Sequence, residues 1–326
     1  MPGWSAVGGQ AQSAYTFGDV DLSDTPLGHT SPSGSSTGSA VAVSAGFSPV
    51  ALGTDTGGSL MTPSTRAAFS AISDIRYCWS YGPSPTDLAV MLDVLVGPEL
   101  IGSKDSYSGA LTKTFRNLRI GVLRPEEWFF GPELQKPVSS ATNQIVGAIA
   151  DTNAAYAKLK HLAKSFKKVT LATPDAFIVN QTDSFYAIQT ARYKATLEEY
   201  LQTLETSKVR TLDQLISFNP DHASHEMPAG YDNQDQLIAA AESDVRITTL
   251  RNYDVDVIIA PADSCFNLLV SAAGYPSATM PLSYLAFNGR PIGLAVCPTA
   301  HQERLLLQVL SAWEAISPQR RPPTLS

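Results

Sequence analysis

The chain has 326 residues, a formal net charge of −7 and a pI near 5.2. That length buries a large core and, at about 150 residues per domain, suits two domains or one large α/β domain. The acidic balance argues against a nucleic-acid groove, because no Lys/Arg cluster is denser than Lys164, Lys167 and Lys168, which read as the solvated end of a helix. Cys78, Cys265 and Cys297 have no metal-like spacing and cannot all pair, so a reducing compartment is expected rather than a disulfide framework. No basic start precedes an apolar run, and no stretch reaches about eighteen consecutive apolar residues, so neither export nor membrane insertion is indicated and a cytoplasmic location is expected.

Along the chain, residues 1–39 are rich in Gly, Ser, Thr and Asp, yet Trp4, Tyr15 and Phe17 supply aromatic anchors, which predicts an ordered loop region packed on a core. "SAVAVSAGF" suits a closely packed helix with Ser36 or Thr37 as cap, and "PVALGTD" a short buried strand. Pro63 opens a predicted helix over "PSTRAAFSAI", and Ser84-Pro85 caps another over "SPTDLAVMLDVLVG". "ATNQIVGAIADTNAAYAKLKHLAKSF" and "SFYAIQTARYKATLEEYLQTLE" read as long helices framing a strand at "KKVTLA". "NLRIGVL" and "VDVIIAPA" read as core strands, "YPSATMPLSY" and "RPIGLAV" as a hairpin about Asn288-Gly289, and "HQERLLLQVLSAWEAI" as a closing amphipathic helix. The fold class expected is α/β: a single large domain, its mixed β-sheet sandwiched between helices.

Chemistry concentrates in two loops, "GHTSPSGSSTGSA" and "ALGTDTGGS". A serine hydroxyl needs a base to become a nucleophile, and the tetrahedral intermediate it forms needs preorganised donors. Consecutive small residues at Thr56, Gly57, Gly58 and Ser59 let main-chain N–H groups converge on one point. Three competing readings exist. Both loops can be plain turns; Gly34-Ser35-Ser36-Thr37-Gly38 fits G-x-S-x-G and would make Ser36 a nucleophile with Asp263 and His301 downstream, although no apolar strand precedes it. A P-loop is ruled out because no lysine follows these glycines. The five histidines are scattered, and His222 and His225 beside Glu226 lie in a loop-like stretch, so no metal site is expected.

Together the two loops resemble the amidase signature family. "SPSGSSTGSAVAVSAGFSPVALGTDTGGSL" is similar to its glycine- and serine-rich segment, and Ser35 and Ser59 stand 24 residues apart, as that family's two catalytic serines do. "GWSAVGGQAQ", "YDVDVIIAPA" and "AGYPSATMPLSYLAFNGRPIGLAV" extend the likeness, placing the signature segment at about 28–72 and C-terminal strands and helix at about 250–317 of one domain, 1–326. The resemblance implies that Ser59 is the acyl-accepting nucleophile and that Ser35, on a cis peptide bond after Gly34, passes its proton. It further implies that the N–H groups of Thr56, Gly57, Gly58 and Ser59 bind the oxyanion, with Asp55 holding the loop and Ser36 supporting it.

The family's catalytic lysine lies several tens of residues before the first serine, whereas no lysine here precedes Lys104. The link "SAISDIRYCWSYGPSPTDLAVM" is also shorter than the family's usual segment. The expectation is therefore a chain lacking the lysine-bearing N-terminal part, with weak or no activity as an amide hydrolase; Lys104 is not expected to substitute. The competing expectation is a catalytically silent relative acting as a binding protein. No cofactor is expected, and the partners implied are a small-molecule amide and, at most, a second copy in a homodimer, with neither nucleic acid nor membrane.

Overall fold

The computed structural model describes the chain except residues 1, 22, 25–26, 74–78, 98–105, 133, 137–143, 172–177, 180–181, 228–231, 243–253 and 325–326. Two compact units are present within the span 1–326. One comprises Pro2–Trp4, Gln10–Thr173 and Asn252–Ser326; the other comprises Met1, Ser5–Gly9 and Pro174–Arg251.

The larger unit is built on strands β1 (Ala51–Gly53), β2 (Ser70–Ser73), β3 (Trp79–Gly82), β4 (Arg119–Val122), β5 (Ser165–Lys168), β6 (Val257–Pro261), β7 (Ser277–Tyr284) and β8 (Pro291–Pro298). They form one eight-stranded sheet in the order β1-β3-β2-β7-β8-β6-β4-β5. β4 runs parallel to β5 and β6, and the remaining pairs are antiparallel, which makes the sheet mixed. β8 is buried along its whole length, and its side chains alternate between faces. Leu294 and Val296 join one apolar layer, Ala295 and Cys297 the other.

Its helices are α1 (Thr37–Ser44), α2 (Met61–Arg66), α3 (Pro85–Val96) and α4 (Gln144–Leu162); α5 to α8 belong to the second unit, and α9 (Phe266–Ala273) and α10 (Glu303–Glu314) follow. α3, α4 and α10 add Leu88, Leu92, Tyr156, Leu159, Leu306 and Leu310 to the layer of Leu294, whereas Phe266 and Val270 of α9 join that of Ala295. Helices thus cover both faces, the sandwich expected from the alternating pattern. α3 starts where Ser84-Pro85 predicts: Ser84 Oγ accepts the Asp87 N–H at 3.2 Å, and the Asp87 carboxylate accepts the Ser84 N–H at 3.1 Å. In α10 the apolar stripe faces the sheet, and Trp313 Nε1 donates to the Pro281 carbonyl at 2.7 Å.

The smaller unit holds α5 (Ser184–Thr203), α6 (Leu212–Asp221), α7 (Ala223–Glu226) and α8 (Asp235–Glu242). Thr211 caps α6 by accepting the Gln214 N–H at 3.1 Å, and Arg210 Nη1 donates to the carbonyls of Leu201 and Leu204 at 2.6 and 2.7 Å.

Several expectations are corrected. β1 lies at the sheet edge with Leu52 44 % exposed, so "PVALGTD" is not a buried strand. The helix after Ser59 ends at Arg66, because Ala68 takes a φ of +56° and Ser70–Ser73 pairs into the sheet. The strand expected at "KKVTLA" runs over Ser165–Lys168 instead, so Lys167 and Lys168 line a solvated sheet edge rather than a helix end. "NPDHASHEMPAG" is largely helical, through α6 and α7. Of the N-terminal aromatics, Tyr15 is buried while Phe17 is exposed. Cys78 and Lys104 lie outside the described residues.

One charged cluster sits inside the larger unit. Asp263, at the end of β6, accepts Arg66 Nη2 at 3.0 Å and Arg290 Nη1 at 2.7 Å, and all three residues are buried. Arg66 also donates to the carbonyls of Gly28, Ser31 and Leu27 at 2.9, 2.8 and 3.0 Å. Burial pushes its guanidinium down to about 10, helped by repulsion from Arg290. Burial pushes the Asp263 carboxyl up, but the two arginines outweigh it and hold the group below the usual carboxylate range.

Asp263→Asn strands two buried guanidinium groups and should lower unfolding free energy by about 3–5 kcal/mol in a urea titration at pH 7. Because the folded-state pKa is depressed, this stabilisation is present above the ordinary carboxylate value and disappears as pH falls through the depressed one; the gap between wild type and variant should therefore close in acid. Ser84→Ala, which removes a solvent-side cap, should cost only about 1 kcal/mol in the same titration.

Candidate active site

Ser35 lies in the loop entering α1, and Ser59 in the loop joining β1 to α2. The two loops are stitched together by main-chain and hydroxyl groups. The Ser36 N–H donates to the Ser59 carbonyl at 3.0 Å. Ser36 Oγ donates to the Thr54 carbonyl and accepts the Thr54 N–H, both at 2.8 Å. That engagement explains why Ser36, although at the N-cap position of α1, makes no side-chain cap bond. Ser39 Oγ donates to the Leu52 carbonyl at 2.6 Å, and buried Tyr81 donates to the Ser36 carbonyl at 3.3 Å.

The Gly34–Ser35 peptide is cis. Glycine suits the crowding at 34, where a Cβ would lie 3.0 Å from the Gly3 nitrogen and 3.2 Å from the Pro2 Cα. Gly58 has a φ of +108°, a conformation L side chains rarely adopt. Its open side is filled by Asn267, a residue only 2 % exposed whose Nδ2 donates to the Ala262 carbonyl at 2.5 Å.

Asp55 sits within the second loop and takes up its donors. The Gly58 N–H donates to Asp55 Oδ1 at 2.5 Å. The carboxylate is shielded, although the residue as a whole is partly exposed, and burial pushes its pKa up. The Gly58 N–H, the Ser73 hydroxyl and the N–H groups of Leu60 and Ser59 pull it down without overcoming burial. The bond from Gly58 closes the turn on a carboxylate of the chain itself, whose Oδ2 is buried without a hydrogen-bond partner among the described residues. The Gly58 N–H is thus engaged within the loop itself.

Ser35 and Thr56 are exposed, Ser59 and Gly57 half-buried and Gly58 buried. Among the described residues the hydroxyls of Ser35 and Ser59 make no hydrogen bond, to each other or elsewhere. The loops therefore place the two serines on adjoining strands of chain and leave both hydroxyls unbonded. A cavity lined by Phe129, Gln135, Thr152, Leu285, Arg290 and Ile292 lies elsewhere, beside the Asp263 cluster.

The rival elbow reading is not supported. No strand precedes Ser36 between Gln10 and Gly34 among the described residues, and Asp263 is held by Arg66 and Arg290 rather than orienting a histidine. His222 stacks on Phe218 with ring centroids 3.7 Å apart, and its Nδ1 meets the Phe218 carbonyl at 2.9 Å. No group of three or more His, Cys, Asp or Glu side chains that could hold a metal occurs among the described residues. No helix among them is long and apolar enough to cross a membrane. Asn267 and Tyr81 escaped the sequence reading, because a single amide in an apolar helix and a single aromatic in a strand carry no local signal.

The family model described as Amidase matches residues 26–70, the span that holds both loops. A glutamyl-tRNA(Gln) amidotransferase subunit from Methanosarcina barkeri is 26 % identical over 90 % of this chain and 70 % of its own length. A probable amidase of Arabidopsis thaliana is 24 % identical over 98 % of this chain and 65 % of its own length. Among solved structures, the peptide amidase of Stenotrophomonas maltophilia superposes with a TM-score of 0.72 at 24 % identity, covering 99 % of this chain and 71 % of that one. An amidase family protein of Bacillus anthracis gives 0.71 at 19 % identity, covering 100 % and 66 %. These structures share the mixed-sheet fold, and the sequence relatives carry the likeness through nearly the whole chain. The segment folded into the two interlocked serine loops is thus the part that matches the Amidase family model, and the chain around it is similar to a glutamyl-tRNA(Gln) amidotransferase subunit and a probable amidase and shares the fold of a peptide amidase.

Proposed function

We propose that this chain cleaves a carbon–nitrogen amide bond by acyl transfer to Ser59. The observation that carries the reading is the bond from the Ser36 N–H to the Ser59 carbonyl at 3.0 Å, which sets the Ser35 loop directly against the Ser59 loop. Ser59 Oγ attacks the amide carbonyl carbon as its proton moves to Ser35 Oγ, whose own proton goes on to the leaving nitrogen. The carbonyl oxygen becomes an oxyanion that accepts hydrogen bonds from main-chain N–H groups of the Thr56–Ser59 stretch. Collapse of the tetrahedral intermediate breaks the C–N bond, and the leaving nitrogen takes a proton as ammonia or amine. Water then attacks the acyl-Ser59 ester, releasing the acid and returning the proton to Ser59.

Asp55 supports this reading as an internal stand-in for the oxyanion. By accepting the Gly58 N–H at 2.5 Å it fixes the turn from Asp55 to Gly58 in which the oxyanion-binding stretch lies. No metal or organic cofactor enters these steps. One observation favours a second reading, a silent binding relative: the Ser35 hydroxyl makes no hydrogen bond to a base among the described residues. Absence of a general base slows such a step by about 10²- to 10⁴-fold, so slow acylation is expected of the 326-residue chain.

A fluorophosphonate probe separates the readings. Covalent labelling of wild type that disappears in Ser59→Ala, with both proteins unfolding cooperatively, is the expected result; a folded wild type that takes no label favours the silent relative. Asp55 supplies a stability test with the opposite sign to Asp263. Its raised folded-state pKa means that the folded protein holds the proton more tightly, so its charge opposes folding at neutral pH and the penalty fades as pH falls. Asp55→Asn keeps an acceptor for Gly58 while removing that charge. Its melting temperature at pH 8 should therefore be no lower than wild type, and a drop there comparable to that of Asp263→Asn would contradict the assignment.

A further inference from the structure

Two residues before Ser35, Ser33 is fully buried and has a φ of +67°. Non-glycine residues are uncommon in that region, and glycine would enter it without steric cost. The serine there has a use: its Oγ donates to Thr62 Oγ1 at 2.8 Å. Each hydroxyl owns one proton, so Thr62, having accepted from Ser33, donates its own to the Gly58 carbonyl, also at 2.8 Å. The same carbonyl accepts the Thr62 N–H at 2.8 Å. Thr37, the first residue of α1, closes the other end by donating its hydroxyl to the Ser33 carbonyl.

A directed relay therefore runs from the residue two before Ser35 to the residue one before Ser59, through buried hydroxyls shielded from competing water. It meets Gly58 on the carbonyl side, while Asp55 holds the same residue by its N–H. We infer that Ser33 and Thr62 are positioning residues for the reaction: their hydroxyl pair fixes the separation of the Ser35 and Ser59 side chains. The inference rests on the reading of Ser59 as nucleophile. The backbone tie from Ser36 to Ser59 and the Ser36–Thr54 pair do not involve the relay, so its loss should leave the loops folded but free to shift. A displacement on the ångström scale is enough to slow a reaction that depends on alignment by up to about 10²-fold.

The test measures fluorophosphonate labelling of the full chain at several probe concentrations, separating the maximal rate constant from the half-saturating concentration, with thermal unfolding in parallel. Thr62→Val, which keeps the shape and removes the hydroxyl, should lower the maximal rate constant by about tenfold or more with the half-saturating concentration unchanged. Thr62→Ser should restore it. Ser33→Ala should match Thr62→Val, and the double variant should be no slower than either single one, because both break one relay. A residue that only stabilises the fold would reduce the labelled fraction rather than the rate constant of the molecules that label. Wild-type rate constants in both single variants, or multiplied effects in the double variant, would overturn the inference while leaving Ser59 as nucleophile. A wild type that takes no label, or a Ser59→Ala that labels like wild type, removes that nucleophile and the relay's role with it.

Discussion

The guanidinium of Arg66 is the tie on which the larger unit depends. Buried charge is unfavourable unless its hydrogen bonds are met, and here they are met by chain segments far apart in sequence. Three carbonyls, of Leu27, Gly28 and Ser31, belong to the loop leading to Ser35. The carboxylate of Asp263 ends β6, and through it Arg290 ties in the turn between β7 and β8. Arg66 itself closes the short helix that begins just after Ser59. Any arrangement that satisfies this one side chain therefore sets the first serine loop, the second serine loop and the central hairpin in a single register.

The site needs such a constraint because its own loops contain little that packs. Gly34, Gly57, Gly58, Ser35, Ser36 and Ser59 have little or no apolar surface to bury, so the hydrophobic term that holds the sheet together contributes almost nothing here. Order comes from hydrogen bonds that use the backbone as acceptor: Ser36 to Thr54, Ser39 to Leu52, Thr62 to Gly58. The same logic continues beneath the loops, where Ser64 Oγ and Thr279 Oγ1 lie 2.9 Å apart and Thr279 accepts the Ala71 N–H at 3.0 Å. A polar seam thus runs from the serine loops into the middle of the sheet, where β7 meets β2.

The sequence made much of this legible, and its failures have physical causes. Strand and helix periodicity sufficed for β4, β6, the β7–β8 hairpin and α10, because each is long or apolar enough for burial to dominate. Pattern misled where tertiary context overrides it. "PSTRAAFSAI" has helical spacing throughout, yet Arg66 must turn inward to Asp263, and the positive φ of Ala68 releases Phe69 and Ser70 toward the sheet. "PVALGTD" is apolar enough for a buried strand, but it occupies the last position of the sheet, which no local signal reveals. In the site, small residues announced the two loops and the resemblance pointed to Asp55, whereas the long-range hydroxyl pairing that joins them was invisible. Asp55 is met by Gly58 three residues on and Thr62 meets Gly58 four residues back, whereas the pairing of Thr62 with Ser33 spans 29 residues and carries no period.

Asp55 also shows why a glycine-rich loop can be both rigid and ready for an anion. Successive N–H groups pointing the same way repel one another, and without a partner the loop would relax and scatter them. A carboxylate of the chain itself, held in a shielded position, keeps the Gly58 donor and its turn in place. Its cost is visible in the raised pKa, since burial outweighs the donors it collects. The loop thus holds unfavourable electrostatics in one side chain to preserve the geometry of its main chain.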